Sequence, residues 1–366
     1  MAFNNTFLGK KVLVTGNTGF KGSWLSTWLL SLGADVHGLA NGVPTSPALF
    51  EAANHRTRLQ YWEKDIVDLP AVLEVIDQVR PDFIFHLAAQ PLVRLAYDEP
   101  AGTHRTNIVG TINVLEALRI LNPACCVVAV TSDKAYDNVE WVWGYRETDH
   151  LGGKDPYSAS KGAAELVIRS YFESYFKKPT SNVRLGVGRA GNVIGGGDWA
   201  KDRIVPDAIR AWTSGKALEV RSMKSTRPWQ HVLEPLSGYL ALAQKLAGDS
   251  RINGEPFNFG PTSENNFSVE ELLVAMQTHW KGGSVVDVSS EGEQRAEARL
   301  LKLNCDKALA VLNWKPALTF GETAELVVNW YRDYYQDSTC AWQITTRQID
   351  AFVKRAACRG IEWAVK

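Results

Sequence analysis

Tyr157-Ser158-Ala159-Ser160-Lys161 sets a phenol and an ammonium four residues apart. On a helix that spacing puts both on one face. A nearby cation favours tyrosinate and lowers a pKa that is ~10 in isolation. A tyrosine tuned in this way takes a proton from a hydroxyl while hydride leaves the same carbon. Upstream, Ser132-Asp133-Lys134 offers a hydroxyl, a carboxylate and an ammonium in succession. Ser132 suits a hydrogen bond to the reacting hydroxyl. Asp133 is an acid if burial raises its pKa, and Lys134 a base if burial lowers its own. Hydride transfer alone needs fewer groups. The same residues also fit a surface i,i+4 pair and a polar loop with a local ion pair.

A third cluster is Thr15-Gly16-Asn17-Thr18-Gly19-Phe20-Lys21-Gly22. Glycines at 16, 19 and 22 permit a tight turn and close backbone approach to a pyrophosphate, and a following helix offers unpaired N–H groups. The spacing is GxxGxxG rather than GxGxxG. An acidic residue that usually closes the second strand is missing from Gly38-Leu39-Ala40-Asn41. Either Asn41 meets a ribose hydroxyl, or Arg56 or Arg58 meets a 2′-phosphate. Asp65 and Ile66, after the third strand, are candidates for the adenine edge.

The elements that must position these groups alternate along the chain. Strands are expected at 11–15, 35–39, 59–64, 82–87, 125–131 and 182–189, and helices at 19–32, 69–79, 103–121 and 157–176. Near-continuous apolar strands separated by helices predict an α/β fold, a doubly wound parallel Rossmann-type sheet. Ligands in such sheets bind beyond the carboxyl ends of the strands, which brings 132–134 beside Tyr157. After Val193 the alternation gives way to short helices at 204–214, 234–246, 269–280, 305–312 and 320–335. The expected division is a dinucleotide-binding domain at 1–193, a smaller α/β substrate-binding domain at 194–335, and a packing segment at 336–366. Ile344, Ile349, Phe352 and Val353 predict a helix there that packs on the body or on a second subunit.

Forty basic residues balance forty acidic ones, so no global field draws the chain to nucleic acid or to an anionic membrane. Apolar runs fall far short of the ~20 residues that span a bilayer. No basic segment and apolar run open the chain. Five cysteines, none in a CxxC pair, suit a reducing cytoplasm and predict neither a disulfide framework nor a metal site. Thirteen tryptophans fit sugar pockets or scattered core use.

Thr15 to Gly22, His86-Leu87-Ala88-Ala89-Gln90, Thr106 to Thr111 and Tyr157 to Lys161 together resemble the extended short-chain dehydrogenase/reductase family of nucleotide-sugar enzymes, from Val12 to about Tyr335. The turn at 132–134 is similar to that of the nucleoside-diphosphate-sugar 4,6-dehydratases. Members acting on dTDP-glucose carry Thr-Asp-Glu there. Ser-Asp-Lys, with Gly191 to Trp199, Arg227 to Val232 and Glu297-Ala298-Arg299, implies CDP-glucose as the substrate.

The resemblance implies oxidation at C4 by bound NAD, elimination of water across C5 and C6, and return of hydride to C6. Tyr157, Lys161 and Ser132 would serve the oxidation, Asp133 would protonate the departing 6-hydroxyl, and Lys134 would take the C5 proton directly or through water. Gly16, Asn17, Thr18, Gly19, Phe20, Gly22, Asp65, Ile66, Leu87, Ala88 and Ala89, with Tyr157 and Lys161, would hold NAD. Gln90, Asn192, Arg203, Arg227 and Arg299 would hold the sugar nucleotide, with Asp198 and Trp199 as weaker candidates. His86 reads as a strand-end histidine bonded to backbone, and Asn107 as an orienting residue acting on the lysine through water. A homodimer built from 101–121 and 157–176 is also implied, with a second pairing into a tetramer left open. A UDP-N-acetylhexosamine 4,6-dehydratase, a 4-epimerase or reductase with structural Asp133 and Lys134, and a non-catalytic dinucleotide-binding scaffold remain open alternatives.

Overall fold

The computed structural model describes residues 2–262, 264–288 and 300–365. Seven parallel strands form one sheet: β1 (Lys11–Thr15), β2 (Asp35–Ala40), β3 (Gln60–Glu63), β4 (Phe83–His86), β5 (Cys126–Val130), β6 (Arg184–Ala190) and β7 (Pro256–Phe259). Their order is β7-β6-β5-β4-β1-β2-β3. The chain therefore reverses direction across the sheet at β1 and β4, and the crevice opens beyond their carboxyl ends.

Helices on both faces follow from the two-residue period of the strands. Leu13, Ile84 and Val127 point to one face, where they meet Val72, Val75 and Ile76 of the helix Leu69–Val79 and Val114 and Leu118 of the helix Gly110–Leu121. Val12, Val14, Phe85 and Val128 point to the other, against Trp24, Trp28, Leu236 and Leu240. The main helices are α1 (Phe20–Ser31), α2 (Leu69–Val79), α3 (Gly110–Leu121), α4 (Pro156–Tyr171), α5 (Ile204–Thr213), α6 (Leu233–Gly248), α7 (Val269–Gln277), α8 (Phe320–Gln336) and α9 (Ala341–Cys358). The first of the two layers thus holds α2 and α3, the second α1 and α6. The helix expected at 103–121 starts earlier, at Pro100, and passes through a π turn at Arg105–Val109 before α3.

The boundary expected at 193 does not follow the sheet. Residues 233–259 return to it: α6 packs on β5 and β6, and β7 pairs with β6, with Phe257 opposite Gly188. β7 was not anticipated, because Pro256-Phe257-Asn258-Phe259 is short and carries a buried polar residue that interrupts the apolar run. The segment after 336 packs back on the body. Ile344, Ile349 and Phe352 of α9 are buried, and the Phe352 ring meets Trp28 edge-on at 5.8 Å. Several tryptophans serve the core with their N–H groups paired: Trp24 donates to Gly196 O, Trp314 to Ser237 Oγ and Trp330 to Thr345 Oγ1. All five cysteines are free thiols. Among the described residues, no helix is long and apolar enough to cross a membrane.

Candidate active site

The turn between β1 and α1 lies at the crevice. Gly16 has φ +73°, and a Cβ there would stand 2.8 Å from the backbone N and Cα of Ala88. Only glycine fits, so the loop and the Leu87-Ala88-Ala89 strand end are in mutual contact. Gly19 caps α1 with no side-chain hydrogen bond, leaving the first N–H groups of a twelve-residue helix turned to the crevice. A cradle closed by glycine and backed by a helix N-terminus fits a dinucleotide diphosphate. The Asn17 and Thr18 side chains turn into the protein. The Asn17 amide is buried against Gly38, and Thr18 Oγ1 donates to Gly42 O at 2.7 Å. Phe20 borders Gly195 across the crevice.

The acid missing from β2 arrives from the next loop. Asp65 accepts a hydrogen bond from Asn41 Nδ2 at 3.2 Å, so a carboxylate stands at the end of β2 after all. The arginines weighed for a 2′-phosphate are engaged elsewhere. Arg56 pairs with Glu51 at 3.1 Å, and Arg58 donates to Ala53 O while lying over the Trp342 ring. Ile66 is buried, and its carbonyl accepts from Asn113 Nδ2.

Beyond β5, Ser132 caps a short 3₁₀ turn, Asp133–Ala135. Its Oγ donates to Asp133 Oδ1 at 2.9 Å and accepts from the Lys134 backbone N–H at 3.2 Å. Asp133 is buried, and its Oδ2 has no partner among the described residues. Burial raises the Asp133 pKa against the opposing pull of Lys134 and Ser132. A Cβ on Gly191 would lie 2.3 Å from that oxygen, so the Gly191-Asn192 stretch leaves room for the carboxylate. Lys134 is half-buried.

Asp155 accepts from Ser158 N and starts α4, with Pro156 in its first turn. Tyr157 and Lys161 follow one helical turn apart, both buried. The Tyr157 pKa is pushed up to about 12. Burial is the main cause. Asp133 adds to it, while Ser132 and Arg203 oppose it. In the chain alone, desolvation of the phenolate outweighs the opposing Arg203 charge. Burial lowers Lys161 to about 8, with Glu165 acting the other way.

His86 bonds hydroxyls, not backbone. Its Nδ1 meets Thr15 Oγ1 at 2.8 Å and its Nε2 meets Thr111 Oγ1 at 3.2 Å. Burial, then the Lys161 charge, lowers its pKa to about 3, so it stays neutral. Asn107, in the π turn, donates to Ser160 Oγ at 2.8 Å, beside Lys161, and accepts from Gln90 N at 2.8 Å. It ties the β4 loop directly to α4.

The proposed sugar-nucleotide residues are dispersed around the same mouth. The Gln90 amide is turned onto Leu92 of its own loop and Thr103 of the helix that starts at Pro100. Asn192 is half-buried beside Gly191, and its carbonyl accepts from Gln230 N. Arg203 precedes α5 and binds Asp198 at 2.8 Å; burial opposes its charge, but Asp198 outweighs this and the pKa is raised. Trp199 is buried among Trp330, Tyr331 and Tyr334. Arg227 donates to Thr226 O next to a recess lined by Pro228, Gln230, Thr262 and Lys302. Arg299 lies outside the described residues.

Two residues not singled out from sequence also face the cluster of Asp133, Tyr157 and Lys161. Lys21, in the first turn of α1, sits 5.9 Å above the Tyr239 ring. Burial and Lys161 lower its pKa to about 8, while Asp133 raises it. Tyr239 of α6 is buried with no hydroxyl partner among the described residues. Lys21 was hidden inside a motif read for its glycines.

The sequence pattern described as GDP-mannose 4,6 dehydratase matches residues 13–327. CDP-glucose 4,6-dehydratase of Salmonella typhimurium is 46% identical over 337 residues, 91% of this chain and 93% of that protein. CDP-paratose 2-epimerase of Salmonella typhi is 24% identical, covering 87% of this chain and 98% of its own. Among solved structures, dTDP-glucose 4,6-dehydratase of Bacillus anthracis in complex with NAD superposes with a TM-score of 0.74 at 21% identity, over 92% of this chain and 100% of that one.

Proposed function

The chain belongs to the GDP-mannose 4,6-dehydratase family, and on that premise we propose that it converts CDP-D-glucose to CDP-4-keto-6-deoxy-D-glucose and water, as an NAD-dependent hydro-lyase. The observation that carries the reading is the 46% identity with CDP-glucose 4,6-dehydratase across 91% of the chain. The meeting of Ser132, Asp133, Tyr157 and Lys161 in one buried cluster supports it.

When bound, NAD supplies a hydride acceptor at C4, a hydride donor at C6 and, when oxidised, a positive charge that favours tyrosinate. The Gly16–Gly22 turn and the α1 N-terminus would hold its diphosphate, Asn41 and Asp65 its adenosine end, and Tyr157 and Lys161 its reactive end. Asp65 at the β2 edge also repels a 2′-phosphate, which supports NAD over NADP.

Tyr157 takes the 4-hydroxyl proton, and Ser132 steadies the same hydroxyl through a hydrogen bond. The resulting 4-ketone acidifies C5–H. Lys134 accepts that proton, directly or through water, as Asp133 gives its own to the leaving 6-hydroxyl, and a proton goes back to C5 when C6 is reduced. Burial keeps Asp133 protonated at a higher pH than a solvated carboxyl, which suits an acid. Positioned proton transfer of this kind is worth roughly 10²–10⁴ in rate. Asn192, Arg203, Arg227 and Arg299 would meet the diphosphate and sugar, the arginines as planar forks.

The product places the enzyme in deoxysugar synthesis for bacterial surface polysaccharides, in the cytoplasm. A homodimer through 101–121 and 157–176 accounts for the exposed Val109, Leu166 and Tyr175; sedimentation as a monomer would remove that part. The main test is incubation with CDP-glucose and catalytic NAD. Alkali should then reveal the ultraviolet absorbance of a 4-keto-6-deoxy sugar, and deuterium placed on C4 should appear on C6. A 4-epimer without water loss would overturn the reading.

A further inference from the structure

Behind the catalytic turn lies a buried polar network that the reaction above does not use. Glu165 and Arg189 are each 3% exposed at the side chain. They are joined by two parallel bonds, Nε to Oε1 at 2.7 Å and Nη2 to Oε2 at 2.8 Å. Glu165 also accepts from Thr131 Oγ1, and Arg189 Nη1 donates to Tyr136 Oη at 2.7 Å. Tyr136 Oη donates onward to Asn258 Oδ1 at 2.8 Å, and Asn258 Nδ2 donates to the carbonyls of Tyr145 and Asn304. The guanidinium lies 4.8 Å from the Tyr136 ring centroid.

Stability does not explain this arrangement. Two charges taken out of water cost about as much as their attraction returns, and apolar replacements of similar size are often no worse. Geometry gives it a task. Thr131 directly precedes Ser132-Asp133-Lys134, and Tyr136 follows one residue after Ala135. The enclosed 3₁₀ turn is a short element with poor intrinsic hydrogen-bond geometry. Both of its shoulders are held by one fork-to-fork ion pair. Glu165 sits one helical turn beyond Lys161 on α4, the helix that also carries Tyr157. Resting on the functional reading above, we propose that Thr131, Tyr136, Glu165 and Arg189 are positioning residues that fix the elimination groups, Asp133 and Lys134, relative to the hydride-transfer pair, Tyr157 and Lys161.

Bidentate pairing fixes orientation as well as distance. Catalysis is sensitive to such placement, since a shift of about 1 Å costs on the order of 10²-fold. The test uses the full chain with NAD and CDP-glucose, and the variants Tyr136→Phe and Thr131→Val. Each removes a hydroxyl from one shoulder and keeps its shape. Each is expected to lower kcat about tenfold with KM unchanged, and to enlarge the isotope effect of deuterium at C5 while that at C4 shrinks. Thr131→Ser, which keeps the hydroxyl, should restore the wild-type values. A kcat within about twofold of wild type in both valine and phenylalanine variants would overturn the proposal. So would a lower kcat with an unaltered C5 effect, which marks general damage. If Tyr136→Phe does not fold, Thr131→Val and its serine counterpart decide alone. A wild-type enzyme that makes no keto-deoxy sugar would instead bring down the functional reading.

Discussion

On the proposed mechanism, replacing Lys134 should separate two chemistries. It is half-buried beside a buried Asp133, and Tyr157 lies on a different element. Lys134→Ala should therefore still exchange hydride at C4 but lose elimination, with dehydration falling roughly 10²–10⁴-fold. Rapid-quench product analysis checks this, and an unaltered dehydration rate would remove Lys134 from its role. Asp65 carries a second prediction. Its carboxylate meets Asn41 at the edge of β2. Asp65→Asn should narrow the preference for NAD over NADP by about tenfold, because one repulsive charge near the ribose is gone. Competitive retention of the two dinucleotides measures it. The pair Tyr157 and Lys161 was legible in sequence because a fixed helical spacing encodes it. Asp65 was not legible as the closing acid of β2: it follows a different strand, and only the parallel pairing of β2 with β3 makes the two loops neighbours. Lys21 and Tyr239 meet across 218 residues of chain, and no local pattern announces such a contact.

At the scale of elements, the β1–α1 turn divides its glycines by duty. Gly16 packs on Ala88 with a left-handed backbone, whereas a Cβ on Gly19 would meet only Gly16 O at 3.4 Å. Gly16→Ala should cost about 1–3 kcal/mol of stability through overpacking and strain. Gly19→Ala should leave the melting temperature near wild type and weaken NAD retention, since its Cβ occupies the approach to the helix N-terminus. Thermal unfolding and dialysis of the dinucleotide separate the two. Strands β1 to β6 and their helices were readable from period and apolar runs. β7 was not, because Asn258 interrupts it for the sake of the Tyr136 network rather than for the strand. The same return of α6 and β7 explains why a cut at 193 misjudges the sheet: tertiary pairing, not sequence order, decides which layer a segment joins.

Across the whole molecule, three histidines are sealed in neutral form in separate places. His55 stacks on Phe50 and meets Thr27, His86 lies between Thr15 and Thr111, and His231 meets Trp24 edge-on. Burial lowers them to about 4, about 3 and about 3. The unfolded chain takes up these protons below pH ~6.5 while the folded one refuses them until lower pH. Stability is therefore lost as pH falls from 6.5 towards 4, by up to about 1.4 kcal/mol per pH unit for each histidine. Glu234, buried and pushed up to about 8, acts in the opposite sense over the same range, so the test is differential: the urea midpoint of His55→Gln should fall less between pH 7 and pH 5 than that of wild type, and an equal fall in both would sink the prediction. The aromatic knot of Phe3, Trp28, Phe352 and Trp363 has a further outcome. A ribosome releases Trp28 several hundred residues before the two rings that cover it. The nascent polypeptide thus carries an unshielded indole-rich face through most of translation, and chaperone dependence in vivo should track the interval before residue 363 emerges.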